Sequence, residues 1–152
     1  MRSPHTHETG IRQTLGFLVM RSQRLMGQQL ERAFAELGLT IHQHAALQLL
    51  YETLATCPGD IARTLGLDTG SGTRLIDQLA EKGLVTRLRG PPDRRQVCLA
   101  LTPQGRATAE QSASVSQAYA DDLLAGFDAD GADALHAGLA HLVRRLEDRA
   151  DA

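Results

Sequence analysis

The stretch from Asp60 to Arg95 constrains this chain more than any other. Ile61, Ala62 and Leu65 share one side of a short helix that Gly66 ends, and Leu67 fills the turn. Asp68 or Thr69 then caps a second helix running to about Lys82, stopped by Gly83. Two strand-like runs follow, Leu84–Leu88 and Val97–Leu101, joined by the basic loop Arg89-Gly90-Pro91-Pro92-Asp93-Arg94-Arg95. A helix pair followed by an Arg-tipped hairpin is the plan of a winged helix-turn-helix. Its second helix enters a DNA groove and its hairpin reaches around the backbone.

The charge distribution agrees with that plan although the total does not. Net charge is −2, which alone argues against a nucleic-acid binder. Residues 1–62 balance five Arg against five acidic residues, and residues 63–106 carry eight Lys/Arg against four Asp/Glu. Residues 107–152 carry three Arg against nine acidic residues. A basic middle between a neutral head and an acidic tail suits a localised phosphate-binding face. No apolar run is long enough to span a bilayer, so no membrane partner is expected, and residues 1–9 lack the apolar centre of a secretory signal. Cys57 and Cys98 are too few for a disulfide framework and lack zinc-site spacing, which points to a reducing, cytoplasmic setting.

The remainder reads as helix. Residues 1–9 are polar and expected to be a disordered tail, ahead of one regulator domain over 10–152. Ile11, Leu15, Leu18, Val19, Met26, Leu30, Phe34 and Leu37 recur at three- and four-residue steps, predicting one long amphipathic helix over 11–37 that Gly38 stops. Thr40 with Gln43 forms a capping box for a second helix whose apolar side is Ala46, Leu47, Leu50 and Leu54. Thr56-Cys57-Pro58 is a cap followed by proline in the first turn. Thr102-Pro103-Gln104-Gly105 opens a helix to about Gly126, and Asp128–Gly131 breaks the chain. A last helix carries the stripe Leu135, Leu139, Leu142, Val143 and Leu146. The fold class is therefore mainly α with a small β-hairpin wing.

On the helix over 69–82, Gly72, Leu75, Ile76 and Leu79 form the apolar face. The other side shows Gly70, Thr73, Arg74, Asp77, Gln78 and Glu81. Arg reads guanine through two bonds, Gln reads adenine, and Thr accepts either base or touches a thymine methyl. Thr73, Arg74 and Gln78 are thus candidate base readers. Thr69 and Ser71, at the helix start, are candidate phosphate contacts. Asp77 is expected to orient Arg74, three residues away. The first strand places Arg87 and Arg89 on one face and Leu88 on the other. At the loop tip, Asp93 lies close enough to hold Arg95 outward, and Arg94 adds a second charge suited to the minor groove. Gly70 and Gly72 each cost about 1 kcal/mol against alanine in a helix, so they either admit the DNA backbone or leave the helix start loose.

Taken together, Leu65-Gly66-Leu67-Asp68, Thr73-Arg74-Leu75-Ile76-Asp77-Gln78-Leu79, Lys82-Gly83-Leu84-Val85-Thr86-Arg87, Asp93-Arg94-Arg95 and Leu101-Thr102-Pro103-Gln104-Gly105-Arg106 resemble the MarR (multiple antibiotic resistance regulator) family. The resemblance covers roughly residues 11–149. It implies a homodimeric transcription regulator, usually a repressor, on a pseudo-palindromic double-stranded operator. It also implies dimerisation helices at 11–37 and 103–149 around a DNA-binding winged helix at 40–101. By the same resemblance Arg74 lies in the major-groove helix, Arg95 reaches the minor groove and Asp93 holds it. Gly70 and Gly72 depart from the Pro-, Ser-, Ala- or Val-like residues common at those positions, which leaves base preference open. A pocket for a small aromatic or anionic effector is implied between the dimer helices and the winged domain, for which Arg12, Arg21, Arg24, His42 and His44 are the candidate lining.

Other chemistry is weaker. Peroxide-sensing members of that family use a cysteine near the start of the first helix, where this chain has none. Cys57 and Cys98 therefore read as structural. His42 and His44 are two apart and His136 and His141 five apart, so neither pair makes the i, i+4 step of a helical zinc site. No metal site and no cofactor are expected. No nucleophile–base pair or phosphate-binding glycine loop is legible, so no catalytic residues and no enzyme are expected. The alternative is a winged-helix dimerisation or interaction module without sequence-specific DNA binding. A flat salt dependence of any DNA binding distinguishes it.

Overall fold

The computed structural model describes residues 10–89 and 97–150. A 3-10 turn at Ile11–Gln13 precedes α1 (Leu15–Ala35), α2 (Ile41–Tyr51), α3 (Pro58–Thr64) and α4 (Thr69–Glu81). The hairpin β1 (Val85–Arg89) and β2 (Val97–Leu101) follows, then α5 (Pro103–Leu124) and α6 (Ala129–Ala150). The protein is mainly α with a small antiparallel hairpin, Val85 opposite Leu101 and Arg87 opposite Leu99. The tail over residues 1–9 and the loop tip with Asp93, Arg94 and Arg95 lie outside the described residues, as does the side chain of Arg89. No helix among the described residues is long and apolar enough to cross a membrane.

Three element boundaries differ from the sequence pattern, each for a local reason. The first helix begins at Leu15 instead of Ile11, because Thr14 is extended and caps α1 after the separate 3-10 turn. The second ends at Tyr51, where Thr53 takes a left-handed φ of 56°. Leu54 then follows the bend and is exposed instead of completing the apolar side of α2. The last helix starts at Ala129, inside the expected break, because Asp128 Oδ1 accepts the Gly131 amide at 2.8 Å as an N-cap.

Other boundaries follow the residues closely. Both halves of the Thr40–Gln43 capping box are formed, a motif worth about 1 kcal/mol at an N-terminus. Gly66 (φ 66°) makes the turn between α3 and α4, and the Leu67 amide donates to Ala62 O at 2.8 Å to close it. A residue with a Cβ resists that left-handed conformation, which is why a glycine ends so short a helix.

Contacts divide the chain into two compact units, Met1–Val115 and Ser116–Ala152. The first is built around Phe34, Leu47, Ile61, Ile76 and Leu79, all essentially inaccessible to water. Each such side chain contributes roughly 1.5–3 kcal/mol by leaving water. The Leu84 amide donates to Leu79 O at 2.9 Å, and the Leu99 amide donates to Thr56 O at 2.7 Å. The hairpin root is therefore tied to α4 on one side and to the segment before α3 on the other. In the second unit, α6 buries no residue, and Leu135, Leu139, Val143 and Leu146 are all exposed.

Candidate nucleic-acid interface

The α4 helix presents its outer face through a defined start. Asp68 is the cap: Oδ1 accepts the Ser71 amide at 2.8 Å and Oδ2 accepts the Ser71 hydroxyl at 2.7 Å. These two bonds, the backbone one first, hold the Asp68 carboxyl below its ordinary range. The Ser71 hydroxyl, a candidate phosphate contact in the sequence, is thus directed at the Asp68 carboxylate. Thr69 is exposed at the first helical position. Thr73 donates its hydroxyl proton to Thr69 O at 2.9 Å, so its hydroxyl oxygen remains an acceptor. Thr73, Arg74 and Gln78 are exposed while Leu75, Ile76 and Leu79 are buried, as the helical periodicity predicts. Arg74 has no ion pair among the described residues.

Gly72 has a role that the sequence leaves ambiguous. It is buried, and a Cβ built there would lie 2.6 Å from Ala62 Cβ. Gly72 therefore permits close packing of α4 on α3 and does not face DNA. Gly70 is exposed at the leading edge, where only the Asp68 carboxyl comes near.

Asp77 does not orient Arg74. It accepts from Arg87 Nη2 on the hairpin. The reason is placement: β1 runs back along α4 and brings a strand guanidinium within reach. Both partners are nearly half exposed, so the pair is worth at most about 1 kcal/mol. Its effect is positional, because it links α4 to β1. Arg87, a candidate DNA contact, is thus paired with Asp77.

The expected effector lining is not brought together within one chain. His42 lies in an open groove of about 210 Å³ with Thr40, Leu67, Ser71, Arg74, Leu75 and Gln78. His44, two residues on, turns away from it and stacks on Phe34 with centroids 4.1 Å apart. Its Nδ1 is hydrogen-bonded with Ser112 Oγ at 2.9 Å, and that hydroxyl also lies 3.0 Å from Ala109 O. Burial holds the His44 pKa below its ordinary value, favouring the neutral ring. Arg21 and Arg24 precede Phe34 on the same helix by roughly 15–20 Å at 1.5 Å per residue, and Arg12 lies further out in the 3-10 turn.

Two arrangements are absent from the sequence reading. Cys57 and Cys98 are neighbours: the Thr56–Leu99 backbone bond aligns them, and the Cys98 thiol is raised by burial and by the hydrogen bond and charge of Cys57. The Gln43 side chain, almost fully buried, links Lys82 to Gln78. The capping box predicts the Thr40 partner of Gln43 but not the two long-range partners.

Known proteins resemble this chain in sequence and in fold. The MarR family model matches residues 39–97, which span α2 to the start of β2. The organic hydroperoxide resistance transcriptional regulator of Bacillus subtilis (strain 168) is 32% identical over 101 residues, covering 66% of this chain and 69% of that protein. Among solved structures, the transcriptional repressor CouR bound to a 23-mer DNA duplex superposes with a TM-score of 0.77 at 31% identity. It covers 86% of this chain and 92% of that one. CouR from Rhodococcus jostii RHA1 bound to p-coumaroyl-CoA gives 0.74 at 26%, over 84% and 90%. A capped α4 packed through a glycine on α3, a hairpin tied to α4, and likeness that runs along most of both chains place this protein in the MarR family of winged-helix transcriptional regulators.

Proposed function

We propose that this protein is a homodimeric repressor that binds a pseudo-palindromic operator and leaves it when a small aromatic or anionic effector binds. The observation that carries the reading is the outer face of α4: Thr73, Arg74 and Gln78 stand exposed on a rigidly capped helix, and Arg74 is unpaired among the described residues. Thr69, Ser71 and Arg87 flank that face as backbone contacts, and Arg89 joins them on the residue pattern alone. On the residue pattern alone, Arg94 and Arg95 extend it to the minor groove with Asp93 orienting Arg95. The resemblance to a repressor solved on a DNA duplex and with an acyl-CoA supports both halves of the proposal. The protein acts by binding and not by catalysis, in the cytoplasm, and needs no cofactor.

Arg74→Ala is expected to weaken operator binding by about 1–3 kcal/mol and to relax preference at one base pair per half-site. Arg95→Ala is expected to weaken binding more evenly across sequences and to flatten the salt dependence. Gel shifts at several salt concentrations, on operator and scrambled duplex, measure both. If neither change alters affinity, α4 and the hairpin do not read DNA.

The dimer is proposed to form through 11–37 and 103–149. A helix of 22 residues with no buried position and an apolar stripe is not completed within its own chain. Leu139→Glu with Val143→Glu should convert the dimer to monomer in analytical sedimentation. A wild-type protein that sediments as monomer at operator-binding concentration contradicts the assignment.

A further inference from the structure

We propose that Gln43 acts as a positioning residue that sets which hydrogen-bonding edge of Gln78 faces DNA, and with it the base that Gln78 reads. The inference rests on the assignment of α4 as the reading helix. An amide side chain can be turned either way round, so its polarity must come from partners that cannot reverse theirs. Gln43 has two such partners. Its Oε1 accepts from the Lys82 ammonium at 2.7 Å and from the Thr40 backbone amide at 3.3 Å, and both groups only donate. The Lys82 ammonium is itself fixed, since it also donates to Gly38 O. With Oε1 committed, Gln43 can offer only Nε2 to its third neighbour. That neighbour is Gln78, whose Oε1 accepts at 2.9 Å.

Polarity therefore passes from an ammonium through one amide to the next. Gln43 is almost fully buried and cannot exchange these partners for water, whereas Gln78 is exposed on the reading face. The carbonyl of Gln78 points inward and its NH2 is left to face the groove. Two-point reading of adenine needs the opposite: a carbonyl for the N6 donor and an NH2 for N7, both at the outer end. An NH2 alone is attracted to adjacent acceptors, as on guanine O6 and N7 or on thymine O4. It is opposed by the amino groups of adenine and cytosine. Gln78 is thereby assigned to acceptor edges, not to adenine as its residue type alone suggests.

The test is a change of polarity at constant shape. In Gln43→Glu, one carboxylate oxygen still accepts from Lys82 and Thr40, and a glutamate at this position still completes the capping box. The other oxygen now requires a donor, so Gln78 must turn its NH2 inward and its carbonyl outward. Selection from a pool of duplexes randomised across the operator should show guanine or thymine enriched at one position per half-site for the wild type. Gln43→Glu should enrich adenine or cytosine at that same position, a swing of roughly tenfold. Gln78→Glu, which faces DNA with oxygen only, should shift the same position in the same direction. It is an independent variant because it leaves the α2 capping box intact. Gln78→Ala should lose preference there and nowhere else.

Three results overturn the inference and point to different faults. If Gln78→Ala erases the preference while Gln43→Glu leaves the favoured base unchanged, Gln78 reads DNA but Gln43 does not set its edge, whatever Gln78→Glu does. If Gln78→Ala changes nothing, Gln78 faces no base. If the wild-type protein enriches no sequence at all, the reading of α4 itself is wrong. Thermal melts of each variant separate these outcomes from loss of fold.

Discussion

Gly105→Ala is expected to lower the melting temperature of this protein by roughly 10 °C and to abolish operator binding at temperatures where the wild type is intact. A Cβ built on Gly105 lies 1.8 Å from the carbonyl oxygen of Leu84, 2.8 Å from its carbon and 3.2 Å from its Cα. All three are backbone atoms, so no rotamer change relieves the contact. Neither side can retreat cheaply. The Leu84 carbonyl accepts the Thr102 amide at 3.0 Å, and the Gly105 amide donates to Thr102 Oγ1 at 2.9 Å. Thr102 Oγ1 in turn donates to Gly83 O at 2.6 Å. Separating α5 from the hairpin root would break several of these bonds together, each worth about 1 kcal/mol, besides the overpacking cost of about 1–3 kcal/mol. A gain of about 1 kcal/mol in helix propensity does not offset that. A loss near 3 kcal/mol corresponds to the stated shift for a chain of this length. Melting followed by circular dichroism decides the matter: a change within 2 °C would mean that the strand-to-helix junction yields easily and does not anchor the wing.

This glycine illustrates where the sequence is legible and where it stops. Thr102-Pro103-Gln104-Gly105 announces a helix start, and the helix begins at Pro103. That signal is local: a capping hydroxyl and a proline act within one turn. The same locality makes α3, the Gly66 turn and the exposure pattern of α4 readable from spacing alone. Contacts between distant residues leave no such trace. Asp77 has Arg74 three residues away on its own helix, and nothing in the chain reveals that β1 delivers Arg87 instead. Gln43 looks like an ordinary capping residue until Lys82 and Gln78 are seen beside it. Leu54 continues the apolar spacing of α2, yet the left-handed Thr53 takes it out of the helix. The effector lining meets the same limit within one chain. Spacing can place His42 and His44 on different sides of a helix, but it cannot show that His44 is already satisfied by Phe34 and Ser112.

Gly72 turns that limit into the second large prediction, because its partner Ala62 sits on another helix. Gly72→Ala is expected to weaken operator binding tenfold to a hundredfold while changing stability much less. The two effects separate on magnitude. Alanine gains about 1 kcal/mol of helix propensity over glycine. That partly offsets an overpacking penalty of about 1–3 kcal/mol where its Cβ would approach Ala62 Cβ to 2.6 Å. Operator binding has no such offset. Relief of the contact requires α3 and α4 to part, which tilts the helix carrying Thr73, Arg74 and Gln78 relative to the hairpin. On the proposed role of α4, a displacement of about 1 Å at its outer face is enough to lose base contacts worth about 1–3 kcal/mol each. The decisive experiment exchanges the methyl group between the helices. Ala62→Gly alone should be mildly destabilising, by about 1 kcal/mol. The pair Ala62→Gly with Gly72→Ala keeps one methyl at the crossing and should recover most of the lost affinity, so the two changes are strongly non-additive. Affinity in the double variant that merely equals the combined single losses would show that the α3–α4 distance does not govern how this helix is presented. Recovery would assign Gly72 to the angle at which α4 is presented.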